Sequence, residues 1–179
     1  MVDKYKNEVE FVVRPHPNLY YQWKSNLKRV KDTKIFAKAA NILDKLSEKC
    51  LIVCDADHVD WFKHSDAMIH DCGSFRCEYL YMDKPVCYVA NDVNMDPKIW
   101  SQMGKDAINC HEIVWPQNGD TVDRFVRDVL DGKDQNSGLR KEYIAKYCSE
   151  FPNGKTPCEN IVNSILGLEE YSALGNNMN

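Results

Sequence analysis

The sequence predicts an α/β layered domain with a mostly parallel sheet and helices on both faces. Three observations point there. Five short runs, Val9–Val13, Cys50–Cys54, Ala67–Ile69, Val86–Val89 and Glu112–Trp115, are near-continuously apolar rather than alternating, the pattern of parallel strands covered on both sides. The stretches between them carry apolar residues at helical spacing. The two signals alternate along the chain, which is how crossover connections in a parallel sheet read in sequence.

Taken in order, Met1–Lys6 reads as the end of a helix feeding the first strand, as though the chain began partway through a domain. After Val9–Val13, one helical stripe is formed by Tyr20, Trp23, Leu27 and Val30, and a second by Ile35, Ala39, Ile42, Leu43 and Leu46. Cys50–Cys54 follows, then Ala67–Ile69 and a helix-like Arg76–Met82. Beyond Val86–Val89 and Glu112–Trp115, Val122, Phe125, Val126, Val129 and Leu130 make a third stripe, and Leu139–Cys148 and Pro157–Leu168 complete the helices. The expected lobe spans residues 1–170, with 171–179 as a frayed tail.

The chain has 179 residues, 44% hydrophobic and 28% charged, enough for one domain with a real core. A net charge of −4 argues against a nucleic-acid partner, because there is no basic excess to neutralise phosphates. No apolar run approaches the roughly 20 residues needed to span a bilayer, and no signal-peptide pattern opens the chain. The eight cysteines, Cys50, Cys54, Cys72, Cys77, Cys87, Cys110, Cys148 and Cys158, mostly sit among apolar residues and read as reduced core side chains of a cytoplasmic protein.

Two loops follow strands, where an open parallel sheet binds ligands. In Arg14-Pro15-His16-Pro17-Asn18, two prolines stiffen the backbone around a histidine. Arg14 offers a planar fork for phosphate, His16 a hydrogen-bond donor, and Asn18 a cap for a helix starting near Leu19. The same residues also read as a proline-rich turn with a solvent-facing histidine. In the second loop, Ile69-His70-Asp71-Cys72-Gly73-Ser74-Phe75, Gly73 lets the backbone approach a ligand, and Ser74 caps the next helix or binds an anion at its N-terminus. Glu78, one turn on, is placed for a ribose hydroxyl pair or as a capping-box partner. Asp55, Asp57, His58 and Asp60 form an acidic cluster that reads as helix capping near Asp57 or as a divalent-ion site. His64 and His111 read as surface or internally bonded histidines.

Together, RPHP and SDAMIHDCGSFRCEYLYMDKPVCYV resemble the C-terminal lobe of CDP-glycerol glycerophosphotransferases, which build teichoic-acid-like polymers. Ser65, Asp66, Asp71, Ser74, Glu78, Lys84 and Pro85 occupy matching places, and Arg140 and the Asn153-Gly154 turn resemble the family's ending. The resemblance runs from about Glu10 to Leu168. It implies a Rossmann-like lobe of a two-lobed GT-B fold, lacking its first strand, which grips a nucleotide-activated donor such as CDP-glycerol. It implies that Arg14, His16, Gly73 and Ser74 contact the donor phosphates, that Asp71 and Glu78 face the nucleoside and ribose, and that His16 is the catalytic candidate. It implies no cofactor and no metal, and a polymer or lipid-linked acceptor reached at the inner face of a membrane. The lone lobe is expected to turn over no donor, and its open inter-lobe face is a candidate homodimer surface. Gly73, His70 and Cys72 depart from the family's serine, threonine and tyrosine. The same loops also suit a glycosyltransferase or epimerase-like lobe using a UDP- or CDP-sugar, or a non-catalytic nucleotide-binding module.

Overall fold

The structure is a computed structural model, and it describes residues 1–25, 34–54, 57–96, 98, 100–147 and 154–167. Leu27, Val30, Asp55, Cys148, Asn153 and the expected tail 171–179 lie outside the described residues. The chain has an α/β fold whose strands all pair in parallel. It divides into two compact units, Met1–His64 and Ser65–Asn179.

In the first unit, α1 (Val2–Tyr5) precedes β1 (Val12–Val13), α2 (Pro17–Lys24), α3 (Lys34–Ser47), β2 (Leu51–Ile52) and α4 (His58–His64). β1 and β2 form a two-stranded sheet, with Val12 opposite Leu51 and Val13 opposite Ile52. Each strand is an edge of that sheet, and each alternates between exposed and half-buried. These strands are therefore not covered on both faces as their apolar runs predicted. α2 is pinned to α3 by Trp23, whose indole N–H donates to Asp44 Oδ1 at 2.6 Å, and Tyr20 packs edge-on against Trp23. Of the α3 stripe, Leu43 is buried while Ile42 is exposed. Asp57 caps α4, accepting from the Val59 amide at 3.1 Å.

In the second unit, β3 (Met68–His70) leads into α5 (Phe75–Glu78), which tightens into a 3-10 turn over Tyr79–Met82. β4 (Val86–Val89), α6 (Gln102–Ile108), β5 (Glu112–Val114), α7 (Asp123–Leu130), α8 (Ser137–Tyr147) and α9 (Pro157–Ile165) follow. The sheet order is β3-β4-β5. Central β4 is the buried strand that the apolar run predicted: Val86, Cys87 and Tyr88 are all sealed from solvent. Each large side chain so buried contributes about 1.5–3 kcal/mol. Tyr79 and Leu80 are fully buried, and Phe125 and Val126 are the buried part of the α7 stripe.

Polar side chains lock this unit. Lys84 Nζ donates to the Ser65 carbonyl at 2.6 Å, and the Ser65 and Tyr79 hydroxyls lie 2.9 Å apart. These bonds tie the entry to β3 to the entry to β4, so two residues that carry the family resemblance serve the fold. Burial pushes the Tyr79 hydroxyl up to about 12. α6 is the helix that the periodicity did not announce. It is capped by Ser101, whose hydroxyl accepts from the Gly104 amide at 3.2 Å. The seven described cysteines are free, but only Cys87 and Cys110 are buried and Cys158 is exposed, so the core role fits those two.

Candidate functional site

At the carboxyl edge of β3 and β4, the chain leaves β3 at His70 and turns through Asp71, Cys72, Gly73 and Ser74. Tyr88 of β4 donates its hydroxyl to the Asp71 carbonyl at 3.4 Å, fastening the loop to the next strand. Asp71, Gly73 and Ser74 are exposed. Ser74 holds the N-cap position of α5 in a helical backbone conformation and makes no side-chain capping bond; its Oγ lies 3.4 Å from Cys72 Sγ. The capping-box alternative for Ser74 and Glu78 is therefore not the arrangement adopted. α5 is four residues long, so it offers little of the axial dipole expected to draw an anion. The Glu78 amide donates to the Ser74 carbonyl at 3.3 Å, so the two side chains lie one turn apart on one face. A Cβ built on Gly73 meets nothing within 4 Å, and its backbone is not left-handed.

Arg14 and His16 belong to the other unit. His16, not Asn18, caps α2: its Nδ1 accepts from the Asn18 amide at 3.2 Å, with Pro17 as the first helical residue. Pro17 favours this earlier start because its missing N–H is one that a helix leaves unbonded there anyway. With Nδ1 used as an acceptor, a neutral His16 carries its proton on Nε2. The ring is exposed and Arg14 is half-buried.

The structure also brings together two histidines that the sequence reading had treated separately. His70 Nδ1 lies 3.2 Å from the Cys72 carbonyl, and His111 Nδ1 lies 2.9 Å from the Ala107 carbonyl. The two Nε2 atoms are 3.2 Å apart. These three contacts call for three N–H protons, whereas two neutral imidazoles bring two. Burial, reinforced at His70 by the neighbouring His111 ring, holds His70 down to about 3, and burial holds His111 down to about 4. His111 thus bonds internally, as one of its readings proposed.

Beside them stands Arg76. Its guanidinium carbon lies 4.3 Å from the centre of the Trp100 ring and 5.9 Å from that of Tyr88. Arg76 Nε, Arg76 Nη1 and Trp100 Nε1 are sealed from solvent and have no hydrogen-bond partner among the described residues. The opposite edge of the sheet differs. There a hollow is lined by residues that include Glu112, Arg124, Asp128, Lys133, Asp134 and Arg140, and its charges meet as Arg124–Glu112, Lys133–Asp128 and Arg140–Asp134 pairs. At the amino edge the arginines meet carboxylates, although Arg140 Nε itself makes no hydrogen bond, whereas Arg76 at the carboxyl edge lies against aromatic rings.

An arginine between Phe75 and Cys77 is a signal that the sequence does carry for Arg76. Nothing local announces Trp100, which reaches it through the packing of α6 on α5. Among the described residues no group of three or more histidine, cysteine or acidic side chains is placed to hold a metal ion, and no helix is long and apolar enough to cross a membrane. No family model, no curated protein and no solved structure matches this chain.

Proposed function

We propose that the chain is the donor-nucleotide-binding part of a CDP-glycerol glycerophosphotransferase-like enzyme, one that transfers glycerol phosphate to a polymer or lipid-linked acceptor. The observation that carries this reading is the Asp71–Ser74 loop at the carboxyl end of β3. Its serine hydroxyl is not spent on capping, and Glu78 stands one turn behind it. A hydroxyl and a carboxylate on one face support the reading of a phosphate contact beside a ribose contact, within the sequence segment that most resembles the family. His16, in the first unit, keeps Nε2–H outside its capping bond, which suits the donor role that the resemblance implies for it. In the proposed reaction an acceptor hydroxyl gives up its proton to a base, its oxygen forms a bond to the β-phosphorus of CDP-glycerol, and the bond to the CMP oxygen breaks so that CMP leaves. Hydrogen-bond donors stabilise charge on the departing phosphate, the role this reading gives to Ser74 of the loop.

Calorimetry on the parent chain and three variants tests this. His16→Ala and Ser74→Ala each remove a hydrogen bond to a charged group and should weaken CDP binding roughly ten- to a hundred-fold, about 1.5–3 kcal/mol. Cytidine, lacking phosphates, should be indifferent to both. Glu78→Gln should weaken CDP and cytidine alike. CDP binding by both alanine variants at the parent's affinity would remove the phosphate assignment.

A further inference from the structure

We infer that the Arg76–Trp100 pair is an anion seat that takes the diphosphate of the ligand bound at the Asp71–Ser74 loop. This inference rests on the nucleotide-binding reading of that loop and adds a residue to it.

The argument begins with a mismatch between donors and acceptors. Arg76 Nε, Arg76 Nη1 and Trp100 Nε1 are all N–H groups, all sealed from solvent, and all without an acceptor among the described residues. Both residues can only donate. Leaving a buried donor unmatched costs free energy, and more for a charged one. At the amino edge of the same sheet, Arg124 and Arg140 meet carboxylates. Among the described residues Arg76 meets no such carboxylate; it lies against aromatic faces instead.

Those faces attract the guanidinium. A cation over an indole ring is attracted to the ring's negative face, and the guanidinium carbon lies 4.3 Å from the centre of the Trp100 ring. Arg76 as a residue is half-buried rather than fully enclosed, so an incoming group can reach the fork. The group that fits is planar or tetrahedral, negatively charged and made only of acceptors, which describes a phosphoryl group. The histidines beside it add no competing positive charge near neutral pH, because burial keeps both neutral. Tyr88 links the two: its hydroxyl holds the Asp71 carbonyl at 3.4 Å and its ring centre lies 5.9 Å from the guanidinium carbon, so the seat stands beside the loop.

Calorimetric titration of the full chain with inorganic pyrophosphate, CDP and cytidine tests this, using Arg76→Met, Arg76→Lys and Ser74→Ala. Methionine keeps an apolar stem against Trp100 without the charge, and lysine keeps the charge without the planar fork; circular dichroism confirms that each variant is folded. Arg76→Met should weaken both pyrophosphate and CDP by about ten- to a hundred-fold and leave cytidine unchanged, with Arg76→Lys only partly restoring affinity. If Arg76→Met binds pyrophosphate and CDP as the parent does while Ser74→Ala loses CDP, the anion seat is wrong and the nucleotide reading stands. If pyrophosphate depends on Arg76 but CDP binds no tighter than pyrophosphate, the anion seat stands and the cytidine-nucleotide reading fails. No binding of either ligand by the parent overturns both.

Discussion

Gly73 lies in a loop where its missing side chain leaves open space, and its backbone does not need a glycine. Alanine there should restrict the unfolded chain without straining the folded one, stabilising the protein by about 0.4–1 kcal/mol. The same open space is where the nucleotide reading puts the donor phosphates, so a methyl group should lower CDP affinity even as stability rises. Chemical denaturation and calorimetry on Gly73→Ala separate the two effects. A more stable variant with unchanged CDP affinity would show that the ligand does not approach this backbone. Single residues also mark how far the site was legible. Ser74 and Glu78 could be paired from spacing, because residues four apart on a helix share a face. The Arg76–Trp100 stack could not, because its partners are 24 positions apart in the chain and meet only through the packing of α6 on α5.

Among the elements, strands were easier to read than helices. β4 showed itself as a continuous apolar run because both its faces are covered. The same kind of run misled at β1 and β2, where two strands pair only with each other and half their side chains meet solvent. α6 has Gly104 in its middle and a buried face made of Gly104, Ala107 and Ile108, too small a stripe to stand out. α8 is read wrongly by hydrophobicity alone, because what it buries is Arg140 and Tyr143 while Leu139 faces out. Arg140 is 1% exposed, forks onto Asp134 of the preceding turn and lies 3.4 Å from the Asp83 carboxylate ahead of β4. Asp83 itself stands in the left-handed region at φ 49°. Removing the cation leaves two partly exposed carboxylates without their shared partner, so Arg140→Met should cost about 1.5–3 kcal/mol, and lysine should not rescue it because one ammonium cannot serve both in the fork's geometry. Urea unfolding checks this; a loss under 1 kcal/mol would mean that the carboxylates find water instead.

For the molecule as a whole, the buried histidine pair sets how stability responds to acid. His70 and His111 are held at about 3 and about 4 against an ordinary value of 6.5, chiefly by burial. The positive charges that bear on them are Arg76 for both rings and Arg140 for His111, and both act in the same direction. Above pH 6.5 neither the folded nor the unfolded chain protonates these rings, and the pair makes no difference. Below 6.5 the unfolded chain takes up protons that the folded chain refuses, so stability is lost as pH falls, down to about 3–4 where the folded rings protonate too. Each histidine adds a slope of up to about 1.4 kcal/mol per pH unit inside that window. Asp106 acts lower down. Bonds from Lys146, Tyr147 and Gln102 hold its carboxyl at about 2, so the stability it contributes is lost only as pH falls from the ordinary carboxylate range towards 2. The two sources can therefore be separated by pH. Urea unfolding of the parent from pH 7 to 4.5 should show a steep decline, and a double His70→Phe, His111→Phe variant should show a shallower one. Phenylalanine keeps ring volume while removing the titration, though it leaves the Cys72 and Ala107 carbonyls without their donors. The variant's overall stability will thus drop, and the slope rather than the height of the curve is decisive. A double variant as steep as the parent between pH 6.5 and 4.5 would place the acid sensitivity in the carboxylates and leave the histidine pair with a packing role alone.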